Sequence, residues 1–120
     1  MKGETYKCYL KPDAYLPMIY TDDAIDGTIQ LMEAPKDQIK IRTSYNISGM
    51  SFCPSEIAAE IKKHIPNFKI EYQVDPLRQG IADSWPHKLQ DSEARKEWGF
   101  NPKYDLARMT KEILDNLKVK

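Results

Sequence analysis

Apolar residues in this chain never run more than a few positions without interruption, and their spacing changes repeatedly between the period of a helix and that of a strand. Each short element so defined has one apolar face and needs a neighbour to cover it, which confines the chain to a layered, mixed α/β fold. Most of the eight prolines fall at the points of change. Residues 6–10 and 16–20 predict short extended segments separated by a turn at Lys11-Pro12-Asp13. Thr21 then reads as the cap of a helix with Asp22 and Asp23 in its first turn, where carboxylates suit the positive end of the dipole. Ile25, Ile29 and Met32 recur at i, i+4 and i+7 as its buried face, and Pro35 closes it.

Residues 39–45 alternate apolar and polar and predict a strand, followed by a loop from Asn46 to Phe52 around Gly49. Pro54 is well placed to open a second helix with Glu56 in its first turn and an apolar face of Ile57, Ile61 and Ile65. Cys53 occupies the cap position, where it is a poor acceptor compared with Ser or Thr. A further alternating run, 68–74, reads as a strand, and 75–90 reads as irregular. Asp91 opens a short helix carrying Ala94 and Trp98 and stopped by Gly99. Asp105 caps a last helix with the stripe Leu106, Met109, Ile113 and Leu117. There is no repeat, low-complexity tract or Gly/Ser linker, and 120 residues suffice for one unit with one main core.

Charge narrows the range of functions. Lys plus Arg and Asp plus Glu both number 18, the net charge is zero, and the pI is near 6.7. That balance argues against nucleic acid as a partner, because a polyanion-binding face carries a basic excess. No apolar run approaches the ~20 residues of a membrane-spanning helix, so no membrane partner is expected. The N-terminal Met-Lys-Gly-Glu-Thr-Tyr-Lys shows no apolar leader, and the expected location is cytoplasmic. Cys8 and Cys53 cannot make a zinc site unaided, and a disulfide between them has no motive in that compartment.

Searches for catalytic machinery return nothing. Glycines stand only at 3, 27, 49, 80 and 99, which leaves no Gly-rich phosphate loop. None of the seven tyrosines has a lysine four residues later. The set Cys8, Cys53, His64 and His87 lacks metal-ligand spacing, and no Ser sits on a Gly-x-Ser-x-Gly elbow. These residues therefore predict no catalytic group, no cofactor site and no metal in the chain alone.

Several segments taken in order do carry a signal. Leu16-Pro-Met-Ile-Tyr-Thr-Asp-Asp-Ala24 and Tyr45-Asn-Ile-Ser-Gly-Met-Ser-Phe-Cys-Pro-Ser-Glu-Ile57 resemble consecutive segments in the C-terminal part of extended short-chain dehydrogenases and sugar-nucleotide epimerases. Arg78-Gln-Gly-Ile-Ala-Asp-Ser-Trp-Pro86 and Asp91-Ser-Glu-Ala-Arg-Lys-Glu-Trp-Gly-Phe100 complete the series. In the last of these Ala94 is displaced by one residue, and Phe100 stands where Trp is usual. Met32-Glu-Ala-Pro35, Met50-Ser-Phe52 and Ala82-Asp-Ser-Trp-Pro86 look most like NAD-dependent L-threonine 3-dehydrogenases. The resemblance runs from about residue 3 to residue 117. Cys53 departs from it, standing where the family tends to place Thr.

The resemblance implies a small mixed α/β substrate-binding lobe over residues 1–120, with the N-terminal Rossmann domain that binds NAD absent from this chain. The missing Rossmann portion would be its partner, and a small amino acid the substrate of the parent enzyme. The parent reaction is oxidation of L-threonine to 2-amino-3-oxobutanoate. The isolated chain is expected to be inactive, and the apolar face left uncovered is expected to drive homo-oligomer formation. Two other readings stand beside this one: a fragment of a sugar-nucleotide epimerase/dehydratase, and a stand-alone, non-catalytic α/β binding module.

By the same resemblance, Trp85 corresponds to the Trp on a loop that closes over a small amino acid and excludes water. The alternative is a core Trp packed beneath that loop. Arg78 lies where related sugar-nucleotide enzymes bind phosphate and would meet a carboxylate here; the alternative is a structural ion pair. Asp83 either orients the Trp85 loop or caps a turn. Met18 either lines the pocket wall or is a buried strand residue. Asp22, Asp23 and Asp26 read as a solvated cluster on a first helical turn, His64 as a helix-terminal cation, and His87 as a neighbour of Trp85 without a nucleophile. Trp98 and Cys8 read as core.

Overall fold

A computed structural model describes residues 3–118; Met1 and Lys2, part of the stretch read above for a leader, lie outside the described residues, as do Val119 and Lys120. Four short strands and five helices follow one another in the order β1 (Tyr6–Cys8), β2 (Leu16–Met18), α1 (Thr21–Glu33), β3 (Met50–Phe52), α2 (Pro54–His64), β4 (Ile70–Tyr72), α3 (Pro76–Asp83), α4 (Ser92–Trp98) and α5 (Leu106–Lys118). β1 runs parallel to β4 with Tyr6 opposite Ile70 and Cys8 opposite Tyr72. β2 runs antiparallel to β3 with Leu16 opposite Phe52 and Met18 opposite Met50. The architecture is the mixed α/β lobe that the sequence predicts.

One core gathers Ala94, Trp98 and Phe100 under Ile19, Leu31, Ala34, Tyr45 and Ile47. Gly99 makes it possible: at φ +76° it ends α4 in the left-handed region and turns Phe100 back beneath the helix. The Gln30 carboxamide nitrogen donates to the carbonyls of Trp98 (2.9 Å) and Gly99 (3.1 Å), tying α1 to that turn. A second, smaller core lies between β1, β4 and α2, with Cys8, Cys53 and Ala58 buried and both thiols free.

The face of α1 is reversed from the sequence expectation. Ile25, Ile29 and Met32 are exposed, Met32 at 79%, whereas Asp23 and Gly27 are buried. Gly27 sits so close to the Phe100 ring that a Cβ there would lie 2.8 Å from Cε2. Asp23 does not belong to a solvated acidic cluster: it is 2% exposed and accepts from the backbone N–H groups of Lys103 (2.9 Å) and Tyr104 (2.8 Å). These bonds hold the segment before α5 against α1, and α1 itself begins at Thr21 with Tyr20 as its cap residue.

Other expectations are also corrected. Residues 39–45 form no strand; the Ile41 N–H donates to the Tyr45 hydroxyl, which itself donates to Glu97, so the segment folds on itself and on α4. The strand lies instead at β3, inside the stretch read as a loop. Part of the stretch read as irregular is α3, opened by Pro76 and capped by Asp75, whose Oδ1 accepts from Leu77 (2.9 Å) and Arg78 (3.1 Å). On α5 the buried residues are Met109, Thr110 and Leu114, leaving Ile113 and Leu117 exposed. Asp105 does cap α5, accepting from Arg108 at 2.8 Å. Asp91, by contrast, accepts from the Arg95 side chain at 2.9 Å, and that bond holds its carboxyl below the usual range. Cys53 makes no cap bond, but the Pro12 carbonyl accepts from Ser55 in the first turn of α2 (3.0 Å), so less is lost there than a bare helix end would lose.

The molecule is a slab of 52 × 36 × 19 Å with a radius of gyration of 17.1 Å. A compact chain of this length would have a radius of about 14 Å. Its accessible surface is 8542 Å², against about 6,700 Å² for a globular monomer of its mass. The excess is as large as the surface buried in a typical protein–protein complex. Among the described residues, no helix is long and apolar enough to cross a membrane.

Candidate functional site

The turn after β1 and helix α3 face each other across an open cleft of about 390 Å³. Tyr9, Leu10 and Leu16 form one wall; Arg78, Ile81, Ala82 and Trp85 form the other. The backbone sets this pairing. The ladder between β1 and β4 continues past the strands, with Gln73 donating to Cys8 (2.8 Å) and Asp75 donating to Tyr9 (3.0 Å). Asp75 then starts α3 on the spot, so its first turn carries Arg78 directly over Tyr9. The Arg78 guanidinium lies 4.5 Å from the centre of the Tyr9 ring, a stacked geometry that leaves its edge free for an anion.

Two of the four site residues singled out by sequence thus share one cleft. Trp85 is not a core residue: it is 55% exposed, just beyond the end of α3, with its N–H donating to Ala82 (3.1 Å). Arg78 has no ion-pair partner among the described residues; it is held by stacking. Asp83 neither caps the turn nor enters the cleft. It accepts from the Gln79 carboxamide at 2.7 Å, while Ser84 closes the helix end by donating to Ile81 (2.6 Å). Met18, 39% exposed, lines the adjoining apolar cavity of about 180 Å³ with Cys8, Phe52, Cys53 and Ala58, a cavity that shares the wall of Tyr9, Leu10 and Leu16 with the cleft.

Sequence reading missed Tyr9, Leu10, Leu16, Ile81 and Gln79. The signal available for them was the Pro at the first turn of α3, which converts an irregular reading of 75–90 into a helix and places Arg78, Ile81, Ala82 and Trp85 along one wall. His87 anchors the stretch after Trp85: its carbonyl accepts from Ser51 at 2.5 Å, and its Nδ1 lies 3.3 Å from the Tyr15 carbonyl. Nearby, the Tyr15 hydroxyl donates to Glu56 at 2.5 Å, which pushes the phenol up to about 12. Such a tyrosine stays protonated at neutral pH and is no general base. His64 ends α2, as expected, with Lys62 and Lys63 in the same turn.

Gly27 is packed on Phe100, Gly49 abuts the Met18–Ile19 backbone and Gly99 serves the α4 stop, whereas Gly3 and Gly80 have open space beside them and stand far apart in the sequence. Among the described residues no cluster of three or more His, Cys, Asp or Glu could hold a metal ion. What the cleft offers is one cation, the Tyr9 phenol, one large indole and aliphatic residues: a binding surface suited to a small anion-bearing molecule.

The fold and its order of segments are those of one part of the L-threonine dehydrogenases, with which the chain superposes over about two fifths of their length. In sequence the chain is similar to L-threonine dehydrogenases and to epimerase/dehydratases. An uncharacterized epimerase/dehydratase of Staphylococcus haemolyticus is 55% identical over 115 residues, covering 96% of this chain and 36% of the relative. The mitochondrial L-threonine 3-dehydrogenase of Bos taurus is 48% identical, with 96% of this chain and 31% of the enzyme covered. The structure of a GalE-like L-threonine dehydrogenase from Cupriavidus necator superposes with a TM-score of 0.92 at 51% identity, over 96% of this chain and 41% of that one. A UDP-glucuronic acid 4-epimerase from Bacillus cereus, solved with UDP-glucuronic acid and NAD, shares the fold alone: TM-score 0.79 at 17% identity, over 98% of this chain and 36% of that one. No family model matches the chain. The chain spans about a third of the length of the curated relatives it matches.

Proposed function

We propose that residues 1–120 are the substrate lobe of an NAD-dependent L-threonine 3-dehydrogenase, working with a Rossmann portion that supplies the cofactor site and the catalytic base. The observation that carries this reading is the cleft in which Arg78, stacked on Tyr9, shares one wall with an exposed Trp85. A carboxylate is the complement of a stacked, unpaired guanidinium, and a small aliphatic side chain is the complement of Leu10, Leu16 and Ile81. The reaction served is oxidation of L-threonine to 2-amino-3-oxobutanoate. In it Arg78 binds the substrate carboxylate, Trp85 covers the bound amino acid and excludes water, and neither moves a proton. Asp83 and Met18 take no direct part: the first acts through Gln79, and the second lines the adjoining cavity on the far side of Tyr9, Leu10 and Leu16. The reading places the protein in the cytoplasm, where its two free thiols stay reduced.

Two measurements test it. Titration of the chain with L-threonine, followed by tryptophan fluorescence, should show saturable quenching that Arg78→Ala weakens at least tenfold and Trp85→Phe alters in amplitude. A response to UDP-glucose in place of threonine would move the assignment to sugar-nucleotide chemistry. With threonine and NAD⁺ the 120 residues alone should give no reduced cofactor at 340 nm, roughly the absorbance band of the reduced nicotinamide; clear turnover would overturn the assignment of chemistry to a separate portion.

A further inference from the structure

Besides Arg78, which stacks on Tyr9, a second polar side chain of α3 reaches the turn after β1, and it belongs to neither lining. Gln79 follows Arg78 on α3 but points the opposite way, into the protein, where it is 5% exposed. Its carbonyl oxygen accepts from the Lys11 backbone N–H at 2.8 Å, on the turn that carries Tyr9 and Leu10. Its nitrogen donates to Asp83 Oδ1 at 2.7 Å, one turn further along α3 and two residues before Trp85. We propose that Gln79 is the positioning residue of the cleft, a buried clamp that fixes α3 against the Lys11 turn and so sets where Arg78 and Trp85 stand. The inference rests on the reading of that cleft as the substrate site and adds a residue which touches no substrate.

The physical case is one of direction. A carboxamide is the side chain that can accept from a backbone N–H with one end and donate to a carboxylate with the other. Asp83 can only accept when ionised, so it selects which end of Gln79 faces it and thereby presents the oxygen to Lys11. Both ends are engaged, and the residue is buried, so rotation of the amide would leave the Lys11 N–H facing an NH₂ group and Asp83 facing a carbonyl. Arg78 and Trp85 lie on either side of this clamp along α3. A helix free to slide or roll by an ångström would carry both away from Tyr9 together. This also accounts for Asp83 beside the tryptophan: it sets the orientation of the amide that holds the helix.

The two tryptophans permit a test that separates positioning from folding, since Trp85 reports on the cleft and Trp98 on the core. The chain labelled with 5-fluorotryptophan should give two ¹⁹F resonances, assigned with Trp85→Phe. Gln79→Glu sets a carboxylate against Asp83; it should shift or broaden the Trp85 resonance, leave Trp98 in place, and weaken L-threonine binding about tenfold. The double variant Gln79→Glu with Asp83→Asn exchanges donor and acceptor while keeping both bonds. It should return the Trp85 resonance to its original position and threonine affinity to within about twofold of the parent chain. An unmoved Trp85 resonance in Gln79→Glu, or a double variant in which Trp98 stays in place while Trp85 fails to return, overturns the proposal. If the parent chain binds no threonine, the substrate reading fails while the ¹⁹F comparison still decides the role of Gln79.

Discussion

Asp23 illustrates how much a single side chain can decide. In the sequence it is one of three aspartates on a first helical turn, with nothing to set it apart from Asp22 and Asp26. In the structure it alone turns inward and accepts two backbone N–H groups from residues 80 and 81 positions away. Asp23→Ala should leave both donors without partners and destabilise the chain by about 2–4 kcal/mol, read as a shift of the urea midpoint at unchanged slope. A shift no larger than that of Asp22→Ala would show that the two bonds do not matter. The identity of the buried aspartate was not legible, because its partners are main-chain groups that carry no residue signature. Arg78 and Trp85 were legible for the opposite reason: a guanidinium and an indole in a short Gly- and Pro-bearing segment stand out by type alone. Gln79, lying between them, did not stand out at all.

At the level of elements, the helices announced by proline or by a capping residue and a glycine stop were readable: α2 from Pro54, α4 from Gly99 and α5 from Asp105. Periodicity served less well. In α1 the spacing of Ile25, Ile29 and Met32 identifies a helix correctly and its buried side wrongly, since the inward face is made of Asp23, Gly27 and the partly buried Leu31. A hydrophobic stripe marks the face that meets apolar matter, and in a lobe of a larger enzyme that matter need not lie within the lobe. The inward face needs a glycine because Phe100 fills the space beside it. Gly27→Ala raises helix propensity by about 1 kcal/mol, yet its methyl would meet the Phe100 ring at 2.8 Å. The net effect should be a loss of about 1–3 kcal/mol, measured by thermal or urea unfolding; a stabilised variant would mean that Phe100 moves freely. The supposed strand over 39–45 failed for a related reason: alternation describes a face, and no strand is within reach to pair with it.

For the whole molecule, the surplus of accessible surface and the outward stripes of α1 and α5 leave a broad apolar face uncovered, which the proposed function assigns to a partner. In the reading above that partner is the Rossmann portion. When the 120 residues stand alone, we expect the same surface to self-associate. Sedimentation velocity should show dimers or larger species at micromolar concentration, and replacing Ile25, Ile29 and Met32 together by Ser should shift the distribution toward monomer while leaving the urea midpoint nearly unchanged, because these side chains are already in water. A clean monomer across that range would remove self-association from the account.

The slab is 19 Å thick, and among the described residues no large side chain is wholly enclosed. Its two ladders are each only two strands wide, so every strand in them is an edge strand. Hydrogen exchange in such a body proceeds by local fraying at many places instead of waiting for global unfolding. The slowest amides would cluster where α4, Gly27 and Phe100 meet, and docking of a partner onto the broad face would be visible as protection spreading outward from that spot.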